Sequence, residues 1–96
     1  MNISLDFDET YTRDPESWNK FIFLFRAAGH KIFCVTYRYP SEGKQVIDAL
    51  GSSVDGIYFT SRQQKSPYMY RQGIRIDVWI DDMPFLIPGD GTEIEL

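Results

Sequence analysis

Apolar and polar residues alternate at the start of the chain, where Ile3, Leu5 and Phe7 are separated by polar neighbours. This period of two is typical of a β-strand with one buried face. Later in the chain, short apolar or alternating runs bounded by Gly or Pro have the same character. They predict three further strands, over residues 31–38, 54–60 and 74–80.

A helical period separates the first strand from the second. Asp14 and Pro15 form a typical N-cap and first helical residue, and Gly29 marks the end of this helix. Apolar residues between these positions share one helical face: Trp18, Phe21, Ile22, Phe25 and Ala28. Phe23 falls on the opposite face, so we expect it to be exposed or to contact another subunit.

Two shorter helices follow the second and third strands. Ser41 is expected to cap one helix that ends before Gly51, and Ser66 is expected to cap another that ends before Gly73. The two prolines of the segment 84–88 leave room for only a brief edge strand. The tail, residues 89–96, carries a turn signal and little else.

Strands therefore alternate with helices in the order β-α-β-α-β-α-β. This order predicts an α/β fold with a parallel sheet, in which helices cover both faces and make three layers. The 96 residues are enough for a single domain, 1–96. In an open sheet of this kind, ligands bind beyond the carboxyl ends of the strands.

Composition and charge exclude several functional classes. The net charge of −4 argues against nucleic-acid binding driven by global charge, so no DNA binding of that kind is expected. No apolar run is long enough to cross a membrane, and no signal peptide is recognisable. The one cysteine, Cys34, lies in an apolar run and suits a reducing compartment. We therefore expect a cytoplasmic protein.

Polar residues follow each predicted strand at the edge where a ligand would bind. They are Asp6 and Asp8 after strand 1, Thr36 and Arg38 after strand 2, Lys65 after strand 3, and Asp81 and Asp82 after strand 4. Taken singly, each has an ordinary reading as a turn residue or a solvated charge. Two neighbouring carboxylates repel each other, however, and a hard divalent cation with oxygen ligands is the simplest resolution.

In this combination the chain resembles the haloacid dehalogenase (HAD) superfamily over residues 1 to about 88. Its four motifs are matched by Asp6-Phe-Asp8-Glu-Thr10, by Thr36, by Lys65 and by Asp81-Asp82. The resemblance implies a Rossmann-like (HAD-like) sheet with strand 1 in the centre, strands 2 and 3 on one side and strand 4 on the other. The short loop after Asp8 and the lack of an insertion after strand 3 indicate a minimal member without a cap domain.

The resemblance also implies a mechanism, that of a Mg²⁺-dependent phosphatase acting through an aspartyl-phosphate. Asp6 would be the nucleophile, Asp8 the general acid and base, and Thr36 and Lys65 would bind the phosphoryl group. Thr10 and Arg38 are further candidates for phosphate or substrate binding. Mg²⁺ would be held by Asp6, the backbone carbonyl of Asp8 and Asp81, while Asp82 is left open as a direct ligand, a ligand through water or an orienting group.

Two other functions remain open from the sequence: a HAD-fold binding or regulatory module without turnover, and phosphotransfer to an acceptor other than water. The substrate also remains open. Basic residues and tyrosines in the loops at the catalytic edge favour a nucleotide or a nucleic-acid-terminal phosphate over a sugar phosphate, with a phosphoprotein as a third candidate: Arg13, Arg38, Arg62, Lys65, Tyr11, Tyr37 and Tyr39. The ordinary alternative is that the arginines are solvated and the tyrosines pack against loop backbone. We also expect a homodimer or a larger assembly, because Phe23 and the missing cap leave surface that a second subunit could cover.

Overall fold

The computed structural model describes residues 1–89. Four strands and three α-helices alternate along this range: β1 (Asn2–Leu5), α1 (Pro15–Ala27), β2 (Lys31–Thr36), α2 (Lys44–Leu50), β3 (Gly56–Phe59), α3 (Lys65–Arg71) and β4 (Val78–Ile80). Short 3-10 helices occur at Tyr11–Arg13, Pro40–Glu42 and Pro84–Leu86. None of the helices in this part of the chain combines the length and the apolar character that crossing a bilayer requires.

The strands form one parallel sheet in the order β3-β2-β1-β4. Ile3 of β1 lies opposite Ile32 of β2 on one side and opposite Val78 of β4 on the other. The predicted α/β class, the parallel sheet and the central position of strand 1 are thereby confirmed. All four strands run in the same direction, so their carboxyl ends share one edge of the sheet.

Buried side chains fall into two clusters that divide β2 between them. Ile32 and Cys34 belong to a cluster with residues of β1, α1 and α2, whereas Phe33 and Val35 belong to a cluster with Met69 of α3. Successive side chains of a strand point to opposite faces, so a continuous apolar run is what a strand buried on both faces requires. Burial raises the pKa of the Cys34 thiol to about 12, which keeps this cysteine unreactive.

Helix α1 follows its predicted caps and apolar face closely. The Asp14 side chain accepts a hydrogen bond of 3.3 Å from the Ser17 backbone N–H, as an N-cap residue should. Ile22 is buried, and three other predicted residues pack around it at partial exposure: Trp18, Phe21 and Phe25. Ala28 is exposed because the helix has already ended, and Phe23 is 74% exposed on the outer face, as predicted.

The starts of α2 and α3 differ from the sequence prediction. Ser41 is not the cap of α2, because 40–42 form a 3-10 turn in which the Glu42 side chain accepts the Tyr39 N–H at 2.8 Å. The α-helix begins only at Lys44, after Gly43. Ser66 is likewise not a cap, since α3 begins one residue earlier at Lys65.

The predicted strand 74–80 is shorter in the structure and the predicted edge strand is absent from the described residues. Pairing of β4 with β1 starts at Val78, and the Asp77 carboxylate instead accepts the Asn2 N–H at 2.8 Å. Ile74 and Ile76 pack against the α3-side cluster without joining the sheet. The segment 84–86 turns back as a 3-10 helix, because Pro84 suits the first turn of a helix. Most of the tail predicted to turn, from residue 90 onwards, lies outside the described residues.

Gly43 provides a test of the packing between the α2 start and β3. Its φ of −89° suits any residue, but an added Cβ would lie 2.4 Å from the Phe59 ring and 3.0 Å from the Pro40 carbonyl oxygen. We expect Gly43→Ala to cost about 1–3 kcal/mol in the free energy of unfolding, because the half-buried Phe59 ring must shift to admit the methyl group. Thermal or urea unfolding measures this cost, and Phe59→Leu in the same chain should recover part of it. An additive double mutant would contradict the proposed clash.

Candidate functional site

The carboxyl ends of β1 and β4, which carry the predicted metal-binding aspartates, lie side by side in the sheet. Asp6 follows β1 directly, and its backbone N–H donates to the Ile80 carbonyl of β4 at 3.0 Å. This bond extends the pairing of β1 and β4 by one residue, so Asp81 emerges beside Asp6. The chain reverses its lateral direction here, since β2 and β3 lie on one side of β1 and β4 on the other. Such a switch point is where open α/β sheets place their ligands.

Lys65 joins the two acids from the first turn of α3. Its side chain is 1% exposed, and its Nζ donates to Asp6 Oδ1 at 2.8 Å and to Asp81 Oδ2 at 2.5 Å. Burial by itself would lower the pKa of Lys65, but the contacts with Asp6 and Asp81 outweigh burial and raise the pKa. Lys65 therefore stays charged and ties α3 to the ends of β1 and β4.

Asp6 is a buried carboxylate with an unusual acidity. Its residue surface is 6% exposed, and burial raises its pKa to about 7 although the Lys65 ammonium acts in the opposite direction. The Asp81 charge and the hydrogen-bonding contact with Asp82 raise the pKa further. One ammonium is therefore not enough to hold Asp6 fully ionised at neutral pH, and an additional positive charge at this place would lower its pKa.

Asp6, Asp81 and Asp82 form a cluster of carboxylates, in which one oxygen from each lies within 4.8 Å of the others. Thr10 braces this cluster, since its Oγ1 lies 3.2 Å from both Asp6 Oδ2 and Asp82 Oδ1 and accepts the Asp82 N–H. Ionised, the three carboxylates carry more negative charge than Lys65 can neutralise. The donor set is all oxygen, which fits a hard divalent cation such as Mg²⁺.

Magnesium is expected to stabilise the protein if these carboxylates bind it. For a dissociation constant on the order of 1 mM, 10 mM Mg²⁺ adds about 1.4 kcal/mol, or a rise in Tm of roughly 5–10 °C. Differential scanning calorimetry at matched ionic strength measures this shift. Asp81→Asn should remove most of it, whereas Asp48→Asn, at an exposed site paired with Lys44, should retain it. An equal shift in both variants would count against the site.

Asp8 lies apart from this cluster and is bound by Arg38. The guanidinium donates to both carboxylate oxygens, from Nε at 2.9 Å and from Nη2 at 2.7 Å, and the hydrogen bond to Asp8 raises the pKa of Arg38. Arg38 is itself positioned by the Glu42 carbonyl at 2.8 Å and by the Phe7 ring, whose centre lies 5.2 Å from the guanidinium carbon. The carboxylate of Asp8 is therefore held in one orientation.

A cavity of about 300 Å³ opens over these groups. Five of the predicted site residues line it: Asp6, Asp8, Arg38, Lys65 and Asp81. Three do not. Thr10 and Asp82 line a neighbouring depression that Asp81 shares with the cavity, and Thr36 is fully buried, where its Oγ1 accepts the Arg38 N–H at 3.4 Å. In this arrangement Thr36 shapes the loop that carries Arg38.

The cavity also contains residues that the sequence did not single out. Met83 and Leu86 form an apolar part of its lining, from the 3-10 turn that replaces the predicted edge strand. Glu42 lies beside the site and contacts both Arg38 and Arg62. The Pro84 after the motif Asp81-Asp82 is a signal for such a turn, but nothing in the sequence indicates that the turn closes one side of the cavity.

Glu9 has a strained backbone at the loop between Asp8 and Thr10. Its φ is 62°, a left-handed conformation that favours glycine. The Glu9 N–H donates to Thr12 Oγ1 at 3.0 Å, and its side chain pairs with Arg13 at 3.2 Å. The chain reverses sharply at Glu9, and this brings Thr10 back onto the carboxylates of Asp6 and Asp82.

Comparisons with protein-family models, with curated proteins and with solved structures found no match. The resemblance to the HAD superfamily therefore stays a prediction from the motifs. What the site can do must be inferred from its own geometry. A buried carboxylate lies beside two others, a buried ammonium bridges two of the three, and a fourth carboxylate, Asp8, is held separately and faces the same cavity.

Proposed function

We propose that this protein is a Mg²⁺-dependent phosphatase of the HAD type that hydrolyses phosphate monoesters through an aspartyl-phosphate on Asp6. The observation that carries this proposal is the placement of Asp6. It lies in the cavity, in contact with Lys65 and in the cluster with Asp81 and Asp82, while Asp8 faces the same cavity from a separate ion pair. A nucleophile, a proton-transfer group and positive charge for the phosphoryl oxygens are the parts that this reaction needs.

In the first step, a carboxylate oxygen of Asp6 attacks phosphorus and the bond from phosphorus to the ester oxygen breaks. Lys65 holds Asp6 in place and offers its ammonium to the phosphoryl charge. Asp8, in its acid form, donates a proton to the departing ester oxygen, which leaves as an alcohol. The product of this step is a phosphate bonded to Asp6.

In the second step, water attacks the phosphorus of this intermediate. Asp8, now a carboxylate, takes the proton from the water, and the bond between phosphorus and the Asp6 oxygen breaks. Phosphate leaves and both aspartates return to their starting states. Arg38 supports the second step, because it fixes the Asp8 carboxylate that takes the proton from the water, whereas one of its two contacts must release for Asp8 to carry the proton of the first step.

The residues that would hold the metal are Asp6, Asp81 and Asp82. The HAD resemblance implies the backbone carbonyl of Asp8 as a further donor. Bound Mg²⁺ supplies Lewis-acid stabilisation of the phosphoryl oxygens and neutralises the carboxylates. Its charge would also lower the raised pKa of Asp6 and so favour the ionised nucleophile. The proposal includes a three-layer HAD-like core without a cap domain, so the cavity stays open to solvent and to large substrates.

Hydrolysis of an aryl phosphate, with and without Mg²⁺, tests the proposal. We expect metal-dependent release of phosphate that Asp8→Asn reduces strongly, because both proton transfers are lost. Product analysis with an added alcohol distinguishes hydrolysis from transfer to another acceptor. A protein that binds phosphate but turns over no ester under either condition would be a non-catalytic module, and the proposal would be wrong.

A further inference from the structure

The loops after β2 and β3 are joined to each other at the rim of the cavity. The backbone N–H of Ser61 donates to the Arg38 carbonyl at 3.2 Å, and that of Arg62 donates to the Tyr37 carbonyl at 3.0 Å. Both donors have positive φ, 55° for Ser61 and 69° for Arg62. Two consecutive non-glycine residues in the left-handed region raise the backbone energy of the folded protein. Arg62 is therefore held at the rim by a strained backbone.

The Arg62 side chain is held over this rim by several contacts. Its Nη1 donates to the Tyr37 carbonyl at 2.9 Å and its Nη2 to the Glu42 carboxylate at 3.2 Å. Its guanidinium carbon lies 4.9 Å from the centre of the Tyr39 ring and 5.8 Å from that of Tyr37. The side chain still keeps 43% exposure, and it lines the same cavity as Asp6.

Arg38 and Arg62 therefore converge on one residue from two loops, since Arg38 donates to the Glu42 carbonyl and Arg62 to its carboxylate. Arg38 is committed to Asp8 through a bidentate ion pair. Arg62 pairs with the Glu42 carboxylate through Nη2 alone, and of its five N–H donors two are used among residues 1–89. Arg62 thus has more donors left for a ligand than Arg38, which uses four of its five among the described residues.

We propose that Arg62 is the anion-binding residue of a second subsite, and that the substrate is a phosphate monoester carrying a second phosphate group. The reacting phosphate would lie at Asp6 and Lys65, and the second phosphate would lie at Arg62. This inference rests on the proposed function, and it names the substrate class that the site favours. Planar guanidinium donors match phosphate oxygens, so the donors of Arg62 that are left at this half-exposed rim position suit a phosphate group.

The two tyrosines of the rim, Tyr37 and Tyr39, do not favour recognition of a base. A base could be recognised by stacking on tyrosine, but the rings of Tyr37 and Tyr39 both face the Arg62 guanidinium in this structure. Their contacts stabilise the arginine and hold it at the rim. The subsite is therefore expected to recognise the charge of a phosphate group and not a particular base. The second phosphate can come from a nucleotide, a nucleic-acid end or a sugar.

Matched substrate pairs test the proposal. We would compare kcat/KM for a nucleoside 5′-monophosphate and the 3′,5′-bisphosphate, and for a hexose 6-phosphate and the 1,6-bisphosphate, with a 5′-phosphorylated dinucleotide as a further arm. In each pair we expect kcat/KM to be about tenfold or more higher for the bisphosphate, because one additional charge-assisted contact contributes about this much to binding. The difference should lie in KM and not in kcat. The arm with the largest preference identifies the source of the substrate.

Substitution of Arg62 should remove this preference. Arg62→Gln is expected to bring the ratio within each pair close to one, and Arg62→Lys should retain part of it. Arg75→Gln makes the same charge change at an exposed position outside this cavity and should keep the wild-type ratio. A ratio near one in the wild type, or a ratio unchanged by Arg62→Gln, would overturn the subsite.

Binding to a turnover-deficient protein separates this inference from the proposed function. Calorimetric titration of Asp6→Asn should show the bisphosphate binding about tenfold more tightly than the monophosphate, and the added Arg62→Gln change should abolish the difference. If neither ester is hydrolysed by the wild type but this difference is present, the phosphatase proposal fails and the subsite stands. If esters are hydrolysed and the difference is absent, the subsite fails and the phosphatase proposal stands.

Discussion

Asp6→Asn is expected to abolish phosphate release, with kcat falling by about a thousandfold or more. The amide has nearly the shape of the carboxylate, but it lacks the charged oxygen that must attack phosphorus. It also gives up the ion pair with Lys65, so the position loses its charge as well as its nucleophilicity. The measurement is steady-state hydrolysis of an aryl phosphate in saturating Mg²⁺, together with a search for the phosphorylated protein by mass spectrometry after acid quenching.

The control for this substitution is Asp48→Asn, which makes the same chemical change on α2 in an exposed pair with Lys44. It should hydrolyse the ester at the wild-type rate. Circular dichroism and Tm must show that Asp6→Asn is folded, so that the loss can be assigned to chemistry. Turnover at the wild-type rate in folded Asp6→Asn would end the mechanism proposed above, whatever the metal dependence.

Lys65→Met is expected to be the most destabilising single substitution at the site, by about 3–5 kcal/mol. Lys65 is 1% exposed and contacts both Asp6 and Asp81, so its removal leaves two carboxylates close together with no cation between them. Against a typical total stability of 5–15 kcal/mol for a domain, this loss is large. Chemical unfolding in urea at pH 8 without metal measures it.

Two further measurements make this prediction specific to charge. The double variant Lys65→Met with Asp6→Asn should be more stable than Lys65→Met alone, because one of the uncompensated charges is gone. The cost of Lys65→Met should also shrink as the pH falls from 8 to 5. The pKa of Asp6 is already raised to about 7 in the folded protein, so protonation of Asp6 as the pH falls stabilises the folded state. Loss of the Lys65 ammonium raises this pKa further, so the Lys65→Met protein gains more stability than the wild type from the same fall in pH.

Lys44→Met is the matched control, since Lys44 pairs with Asp48 at a side-chain exposure of 88%. Exposed ion pairs contribute little, so only a small change in Tm is expected. If Lys65→Met were as stable as Lys44→Met at pH 8, the contact of the ammonium with Asp6 and Asp81 would not hold the site together. The bridging role assigned to Lys65 would then be wrong.

The order of strands and helices could be predicted from local signals. The alternation at Ile3 to Phe7, the cap at Asp14 and the apolar run 31–36 each contain enough information within a few residues to define an element. The connection rules for parallel strands then place every strand end on one edge. Asp6, Thr36 and Asp81 could therefore be predicted at that edge before any tertiary contact was known.

Local signals failed where a tertiary contact competed with them. Ser41 and Ser66 are good caps in isolation, but Glu42 reaches back to the Tyr39 N–H and the helix around Ser66 starts at Lys65, whose side chain is bonded to Asp6 and Asp81. The segment 74–77 has the alternation of a strand, yet β1 pairs with β4 only from Ile3 onwards. A β-strand forms only where an adjacent strand supplies hydrogen-bond partners, and the local sequence of 74–77 does not indicate where β1 begins to pair.

The sequence by itself thus determined the α/β class, the parallel sheet and the set of charged residues gathered at its carboxyl edge. Only the tertiary structure decided how those charges pair: Lys65 with both Asp6 and Asp81, Arg38 with Asp8, and Arg62 with Glu42 over two tyrosine rings. The reason is physical. Secondary structure follows from spacings of two to four residues, whereas ion pairs at a shared edge depend on loop conformations that bring together residues 16 to 59 positions apart in the chain.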